Sequence, residues 1–487
     1  MTMKVGSFMK RLKDIPTEAK ASVAYTVCSI VQRGAAILVL PLFTRLLTTE
    51  QYGLTSVYLS WFAFFSIILS LNLPYGSFQT AMVKFENQRE AYVASLEGIY
   101  VLLSTLFLLV YLPFQSFWNG LLGMPTILVI VMVFEVAATS CIQSWMGLRR
   151  FQFKYKSVFS VTIALAILAQ VSSLLLVLLV DDKGVAKVVG SAIVTVSFGI
   201  VIGIMGIVRG RSLFSKKLWR YALCFNIPLI AYYMSQVVFN QSDILMINYF
   251  CGADKAGIYN VAYSLAMLLT FLITAIQGSY TPWFYGKLVK HEERADRAIS
   301  TGLAVALACF LLVIVIATPE IVSIMAGEAY VQAIWIVPPV AASVLLLFYA
   351  CLFDRLFFFY EKKLYLTIGT IVPAVINIAL NALLIPILGF IVAGYTTFIS
   401  YCTLVLVDYC FVRKLAPEVN LDLRMYNFKG LGFTLVAFIA VSALMMCLYP
   451  FSWLRYGILV AVLVTAFIFR KRAFEIFSRI RKPDNSC

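Results

Sequence analysis

Histidine is all but missing from this chain: one residue in 487, His291, set in a charged stretch. That scarcity makes His-based metal ligation and histidine proton relays poor explanations of function. Charge is scarce too. Asp, Glu, Lys and Arg make up 13% of the sequence and hydrophobic residues 62%, whereas soluble domains carry about 25% charged residues. A water-soluble surface cannot be built from that. Long polar connections are also lacking, since no segment between apolar runs exceeds about twenty residues, and an extramembrane domain with its own active site is therefore excluded. Cysteine is present, but Cys28, Cys141, Cys309, Cys402 and Cys410 lie inside apolar runs and no pair shares an outer loop. Neither a disulfide framework nor a metal site is expected.

What the chain does have is apolar stretches of roughly 18–25 residues, each long enough to cross a hydrocarbon core of about 30 Å. The pattern predicts an all-α polytopic membrane protein of about fourteen transmembrane helices. The expected spans are 21–46, 54–78, 93–113, 124–147, 157–180, 186–208, 221–250, 256–285, 298–318, 331–353, 365–385, 390–412, 430–449 and 453–470. The first run follows Lys4, Lys10, Arg11, Lys13 and Lys20, is too long for a signal-peptide core and contains Arg33, so it reads as a retained helix.

The net charge of +16 reflects orientation, not nucleic-acid binding. Of the 39 lysines and arginines, the opposite segments hold only Lys183, Lys187, Lys255 and Arg455, and Arg33 and Arg45 lie in the first span. All the others fall in alternate segments beginning with the N-terminus. The positive-inside rule then places both termini in the cytoplasm and favours an even helix count.

The sequence also matches itself at an offset of 204 or 205. Gln32 falls on Gln236, Gly53 on Gly257 and Gly190 on Gly394. Ser56, Ser60, Ser66, Ser70 and Ser77 meet Asn260, Ser264, Thr270, Thr274 and Thr281. Arg150, Phe153, Tyr155 and Gly184 meet Arg355, Phe358, Tyr360 and Gly389. Six helices per copy is an even number, so the copies share one orientation, as in parallel-repeat transporters. Two six-helix lobes, 1–208 and 209–412, with two further helices and a basic cytoplasmic tail in 413–487, are expected. Such lobes hold substrate between them and expose it to each side in turn.

Several residues are candidates for that site. The seventh span carries Asn226, Tyr233, Gln236, Asn240 and Asp243 at steps of seven, three, four and three, on one helical face. A polar stripe of this length lines a cavity or bonds to other helices. Arg33, near the middle of the first span, costs roughly 2.5–3.5 kcal/mol to insert. It is either a fork for phosphate or carboxylate oxygens or the partner of a buried acid, Glu135 first. Glu135 and Asp243 are candidates to bind a coupling H+ or Na+, against plain structural pairing. Asp408 is expected to pair near the interface with Arg413 and Lys414, and Asp354 and Arg355 to serve lobe packing.

Three segments carry a resemblance. Phe43-Thr44-Arg45-Leu46-Leu47 with Tyr52-Gly53, then Gly257-Ile258-Tyr259, then Asn377, Asn381, Pro386, Gly389 and Gly394 resemble the bacterial polysaccharide transporter family. Its members are O-antigen and capsule repeat-unit flippases, related to the multidrug and toxin extrusion proteins. The resemblance implies a multidrug-extrusion-like fold with a cationic cavity. It also implies movement of an undecaprenyl-diphosphate-linked oligosaccharide from the inner to the outer leaflet of the bacterial cytoplasmic membrane. Of the family's cavity arginines only Arg33 carries over. Arg33 is then expected to bind the diphosphate, with Gln32, Tyr233, Gln236 and Asn240 on the sugar, no cofactor, and a polysaccharide polymerase and chain-length proteins as candidate partners alongside membrane lipids.

A multidrug extruder of the same superfamily and a peptidoglycan-precursor flippase remain alternatives. The central arginine argues against the first, and the segments quoted read more like the polysaccharide branch. A membrane glycosyltransferase, polymerase or ligase is disfavoured, because the outer loops are short and lack histidine.

Overall fold

The computed structural model describes residues 17–461 apart from 291, 293 and 295, and among them the chain is helical with no strand. The long helices are α1 (Thr17–Leu46), α2 (Thr49–Ser70), α3 (Glu86–Leu122), α4 (Thr126–Phe151), α5 (Tyr155–Leu179), α6 (Lys183–Gly210) and α7 (Lys216–Cys251). They continue with α8 (Ala253–Val289), α9 (Asp296–Ile316), α10 (Val337–Phe359), α11 (Lys363–Leu388), α12 (Val392–Glu418) and α13 (Phe428–Cys447). Twelve of these, α2 to α13, are long and apolar enough to span a membrane. The expected fourteenth span, 453–470, lies mostly outside the described residues, as do His291 and the basic tail, so the count of fourteen is not established.

Local chemistry explains several boundaries. Thr48 starts α2 with a reciprocal cap: its Oγ1 accepts the Gln51 N–H at 3.2 Å while Gln51 Oε1 accepts the Thr48 N–H at 3.1 Å, satisfying two donors that the first turn leaves open. Asp182 caps α6 by accepting the Val185 N–H. Pro228 lacks an N–H and interrupts α7 with a 3-10 turn at Ile227–Leu229,. Gly389, at φ 79°, closes α11 in a conformation that favours glycine and returns the chain directly into α12.

By contacts the chain forms two units, Met1–Val237 and Val238–Cys487, with the division inside α7. In the first unit α6 comes backbone-close to its neighbours through glycine. A Cβ on Gly190 would lie 2.5 Å from Ser173 Cα of α5, and one on Gly199 would lie 2.3 Å from Ala138 Cβ of α4. Small residues serve this purpose where lipid offers no hydrophobic drive for association. In the second unit α10 is the central helix. Protein encloses 83% of its apolar stretch, against 17% for α5, which is apolar all round because most of its surface faces lipid. Gly394, which the sequence match sets on Gly190, lies instead against the start of α10, where a Cβ would be 3.1 Å from Ile336 Cγ2.

Candidate functional site

The best-developed polar site lies inside the second unit, around Asp243. This carboxylate, on α7, is buried together with Tyr259 of α8, Asn377 and Asn381 of α11 and Thr396 and Thr397 of α12. Tyr259 Oη donates to Asp243 Oδ2 at 2.6 Å, and Asn381 Nδ2 donates to Oδ1 at 2.5 Å. The Thr397 hydroxyl lies 2.5 Å from Oδ2 and 2.8 Å from the Ala393 carbonyl, with one proton to divide between them. Around this ring, Thr396 Oγ1 donates to Asn381 Oδ1 at 2.5 Å and Ser242 Oγ to Asn377 Oδ1 at 2.9 Å. Asn377 and Asn381 share a face because they are four residues apart, and the tight return at Gly389 sets Thr396 opposite them. One negative charge thus accepts from an amide N–H and two hydroxyls, with the Asn377 and Asn381 amide oxygens, accepting from Ser242 and Thr396, next to them; hydroxyl and amide oxygens beside a carboxylate are the ligand types that hard cations prefer.

In the first unit, Tyr58 Oη of α2 donates to Glu135 Oε2 at 2.5 Å. Glu135 is therefore tied to α2. Arg33 belongs to α1, but its side chain, and with it the expected Arg33–Glu135 pair, lies outside the described residues. Gln32 is exposed.

The stripe on α7 is not uniform. Asn226 is fully buried and donates to Ser77 Oγ at 3.0 Å and to the Ala222 carbonyl at 2.8 Å. Gly76 makes room for it, since a Cβ there would lie 1.8 Å from Asn226 Oδ1. Tyr233 is half-buried, while Gln236 and Asn240 are exposed, with Gln236 Nε2 donating to Tyr232 Oη at 2.7 Å. The break at Pro228 separates Asn226 from the rest. The ends of the stripe, Asn226 and Asp243, are buried and hydrogen-bonded, and its middle, Gln236 and Asn240, is exposed.

Sequence reasoning missed or misplaced other buried charges. Lys187, expected in an outer segment, is turned into the first unit: its Nζ lies 4.1 Å from the Tyr52 ring centroid, 4.7 Å from that of Phe43 and 3.3 Å from Thr55 Oγ1. Aromatic faces take the place of a carboxylate partner. Arg355 is buried as expected for packing, 3.9 Å from the Tyr280 centroid, with Nε donating to the Cys351 carbonyl at 3.1 Å. Tyr280 in turn hydrogen-bonds Asp296. The interfacial pairing expected for Asp408 is not what the structure has. Arg413 and Lys414 are exposed, Arg413 lies over Tyr409, and Asp408 is buried with neither carboxyl oxygen partnered. The helical phase decides this, since five residues separate Asp408 from Arg413, placing them about 140° apart.

Twelve helices long and apolar enough to cross a membrane, with a caged carboxylate buried among four of them, define a multi-pass membrane protein. The pattern of the family described as "Polysaccharide biosynthesis protein" matches residues 19–286, more than half of the chain, and the chain belongs to that family.

Solved structures agree on the fold. A structure described as "Lipid II flippase MurJ, inward closed conformation" aligns with a TM-score of 0.65 at 13% identity, covering 93% of this chain and 99% of that one. An inward-facing multidrug resistance MATE family transporter of the MOP superfamily aligns at 0.57 and 13% identity, covering 82% and 99%. A MATE protein in complex with MaL6 aligns at 0.52 and 13% identity, covering 83% and 97%. No curated protein matches the sequence. The fold is that of the MurJ and MATE transporters, as the resemblance implied.

Proposed function

We propose that this protein is a flippase that carries an undecaprenyl-diphosphate-linked oligosaccharide repeat unit from the inner to the outer leaflet of the bacterial cytoplasmic membrane, driven by sodium binding at Asp243. Membership of the polysaccharide biosynthesis family supports the substrate class. The Asp243 cage is the single observation that carries the coupled mechanism.

A lipid diphosphate stays amphiphilic throughout its passage, so its head group needs polar surroundings while its tail remains in lipid. Arg33 supplies a permanent cation whose planar fork suits diphosphate oxygens. Gln32, Tyr233, Gln236 and Asn240 offer amide and hydroxyl groups to the sugars. A sodium ion entering the cage neutralises Asp243 one for one. The Tyr259, Thr396 and Thr397 hydroxyls turn lone pairs toward the ion, and the Asn377 and Asn381 carbonyls complete an oxygen shell. Because these ligands come from α7, α8, α11 and α12, the ion draws four helices of the second unit together, a difference in contact that biases one conformation over another.

Mass spectrometry of lipid copurifying with the protein in mild detergent tests the substrate. A polyprenyl-diphosphate glycan is expected. A peptidoglycan precursor would move the protein to the lipid II branch, and an amphipathic cation in place of any polyprenyl diphosphate would make it a multidrug extruder.

A further inference from the structure

The connection between α6 and α7 in the first unit concentrates positive charge with no acid to balance it. Arg209, Arg211, Lys216, Lys217 and Arg220 fall within twelve residues, and no Asp or Glu stands between Asp182 and Asp243. All five are exposed. None forms an ion pair among the described residues, whereas Arg89, Arg149, Lys287, Arg294 and Lys362 each have a carboxylate oxygen within 3.5 Å. The connection is seated on α3. Gly98 makes room for the Leu213 carbonyl, which would lie 2.1 Å from a Cβ there, and Gly210 makes room for the Glu90 carbonyl, 2.4 Å from a Cβ. Trp219 Nε1 donates to the Ser95 carbonyl at 2.8 Å, and Phe214 packs edge-on against the Trp219 ring with centroids 4.9 Å apart. Two lysines are mounted on neighbouring rings. Lys84, which ends the short helix Phe78–Lys84, has its Nζ 4.7 Å from the Tyr221 centroid, and Lys217 Nζ lies 5.9 Å from that of Phe85. Phe85 and Tyr221 are themselves in edge contact, with centroids 5.1 Å apart.

The start of α7 is amphipathic in two directions. Around the helix, Leu218, Ala222 and Asn226 are buried at four-residue steps, while Lys217, Arg220, Cys224 and Ile227 form an exposed stripe on the opposite side,. Along that stripe the first two residues are basic and the last two apolar. Helix α7 has 36 residues, about 54 Å at 1.5 Å per residue. That exceeds a hydrocarbon core of about 30 Å, so its first turns stand among lipid headgroups. We infer that this surface binds an anionic phospholipid, its phosphate held by Lys84, Lys217 and Arg220 and an acyl chain lying along Cys224 and Ile227. The rings beside the lysines hold the ammonium groups in place and leave N–H donors for phosphate oxygens, and Arg220 adds a planar fork. Leu213 and Phe214, both exposed and seated on α3 through Gly98 and Trp219, set an apolar wedge between the basic residues. Apolar side chains flanked by lysine and arginine are the composition with which interfacial segments dock on anionic lipid. A zwitterionic headgroup brings its own ammonium, which the cluster repels, so the preference is for headgroups of net negative charge. This goes beyond the flipping proposed above and does not depend on it.

Native mass spectrometry of the full-length protein in neutral detergent, titrated with phosphatidylglycerol or with phosphatidylcholine of the same acyl chains, tests the site. The wild type is expected to retain phosphatidylglycerol saturably and in preference to phosphatidylcholine. Lys84→Gln, Lys217→Gln and Arg220→Gln are each expected to lower that retention by about fivefold, the effect of one basic residue near an anionic surface. Lys217→Arg keeps the charge and is expected to keep the preference. A variant that loses three charges elsewhere, Lys154→Gln with Lys156→Gln and Lys414→Gln, is expected to match the wild type, which separates this site from net charge. Phosphatidylglycerol with a photoreactive group on its acyl chain is expected to label the peptide that contains Cys224 and Ile227. Equal retention of the two lipids by the wild type overturns the proposal, as does an undiminished preference when Lys84, Lys217 and Arg220 are all replaced by glutamine. Acyl-chain labelling confined to other helices overturns it too. Complete displacement of phosphatidylglycerol by an equimolar polyprenyl diphosphate also overturns it, because the surface would then belong to the transported substrate. Flipping is not part of the readout, so loss of flipping with phosphatidylglycerol retention intact counts only against the flippase reading.

Discussion

The Asn381 side-chain amide donates to Asp243 Oδ1 at 2.5 Å, joining α11 to α7 across 138 residues of sequence. That bond, with those from Tyr259 and Thr397, holds a buried carboxylate in place with its charge uncompensated by any described cation.

Asp243→Asn keeps the volume but turns one acceptor into a donor facing the Asn381 amide. Leaving a buried donor unpartnered costs about 1–3 kcal/mol, so the melting temperature in detergent falls modestly. The decisive difference is linkage: sodium raises the melting temperature of the wild type by binding the native state and leaves that of Asp243→Asn unchanged. An equal sodium response in the two proteins would remove Asp243 from the ion site.

Cysteine substitution in a cysteine-free background separates the parts of the α7 stripe. Gln236→Cys and Asn240→Cys are expected to react with a small membrane-impermeant thiol reagent, and Asn226→Cys, buried against Ser77 and Gly76, is not. Val238, about 200° around the helix from Gln236, is the lipid-or-core control. Equal labelling at 236 and 238 would contradict a water-facing stripe.

Arg455 and Glu320 form a bidentate pair, Nη2 to Oε1 at 2.7 Å and Nη1 to Oε2 at 2.8 Å, that fastens the segment after α13 to the short helix Thr318–Met325. Partial burial alone would raise the Glu320 carboxyl, but the Arg455 hydrogen bonds, with that from Tyr456, hold it below the usual glutamate range. The folded value is depressed, so this stabilisation is present above the unfolded value and lost as pH falls through the folded one. Glu320→Gln is expected to lower stability by about 1–3 kcal/mol at neutral pH and to narrow the gap to wild type in acid. A gap unchanged between neutral and acidic pH would show the pair to be without effect.

Much of this architecture was legible in the sequence. Hydropathy alone located α2 to α13, because a helix that meets lipid must be apolar over a full span. The Asp243 cage was half-legible. Asp243 stood out as a mid-span acid, and Asn377 and Asn381 stood out in the family-like motif four residues apart. Nothing local joined them, since their bonds to Asp243 and Ser242 bridge well over a hundred residues. Glu135 was visible, but its Tyr58 partner, 77 residues away, was not. Asp408 was misplaced because sequence proximity to Arg413 and Lys414 was weighed above helical phase.

Arg33→Lys keeps the charge and loses the planar fork, so flipping is expected to fall by about tenfold, the equivalent of roughly 1.4 kcal/mol, with membrane abundance unchanged. Arg33→Ala is expected to abolish it. Wild-type delivery of lipid-linked sugar to the outer leaflet by a normally expressed Arg33→Ala protein would make the residue structural.

The most direct test of the central claim is transbilayer movement of a polyprenyl-diphosphate-linked oligosaccharide in proteoliposomes containing the purified protein, measured by its accessibility to a membrane-impermeant glycan-modifying enzyme under an imposed sodium gradient. Sodium-dependent movement by the wild type, and none by Asp243→Asn, is the predicted result. Movement that ignores the sodium gradient or persists in Asp243→Asn would contradict sodium coupling, and no movement of the lipid-linked oligosaccharide by wild-type protein would contradict the flippase assignment itself.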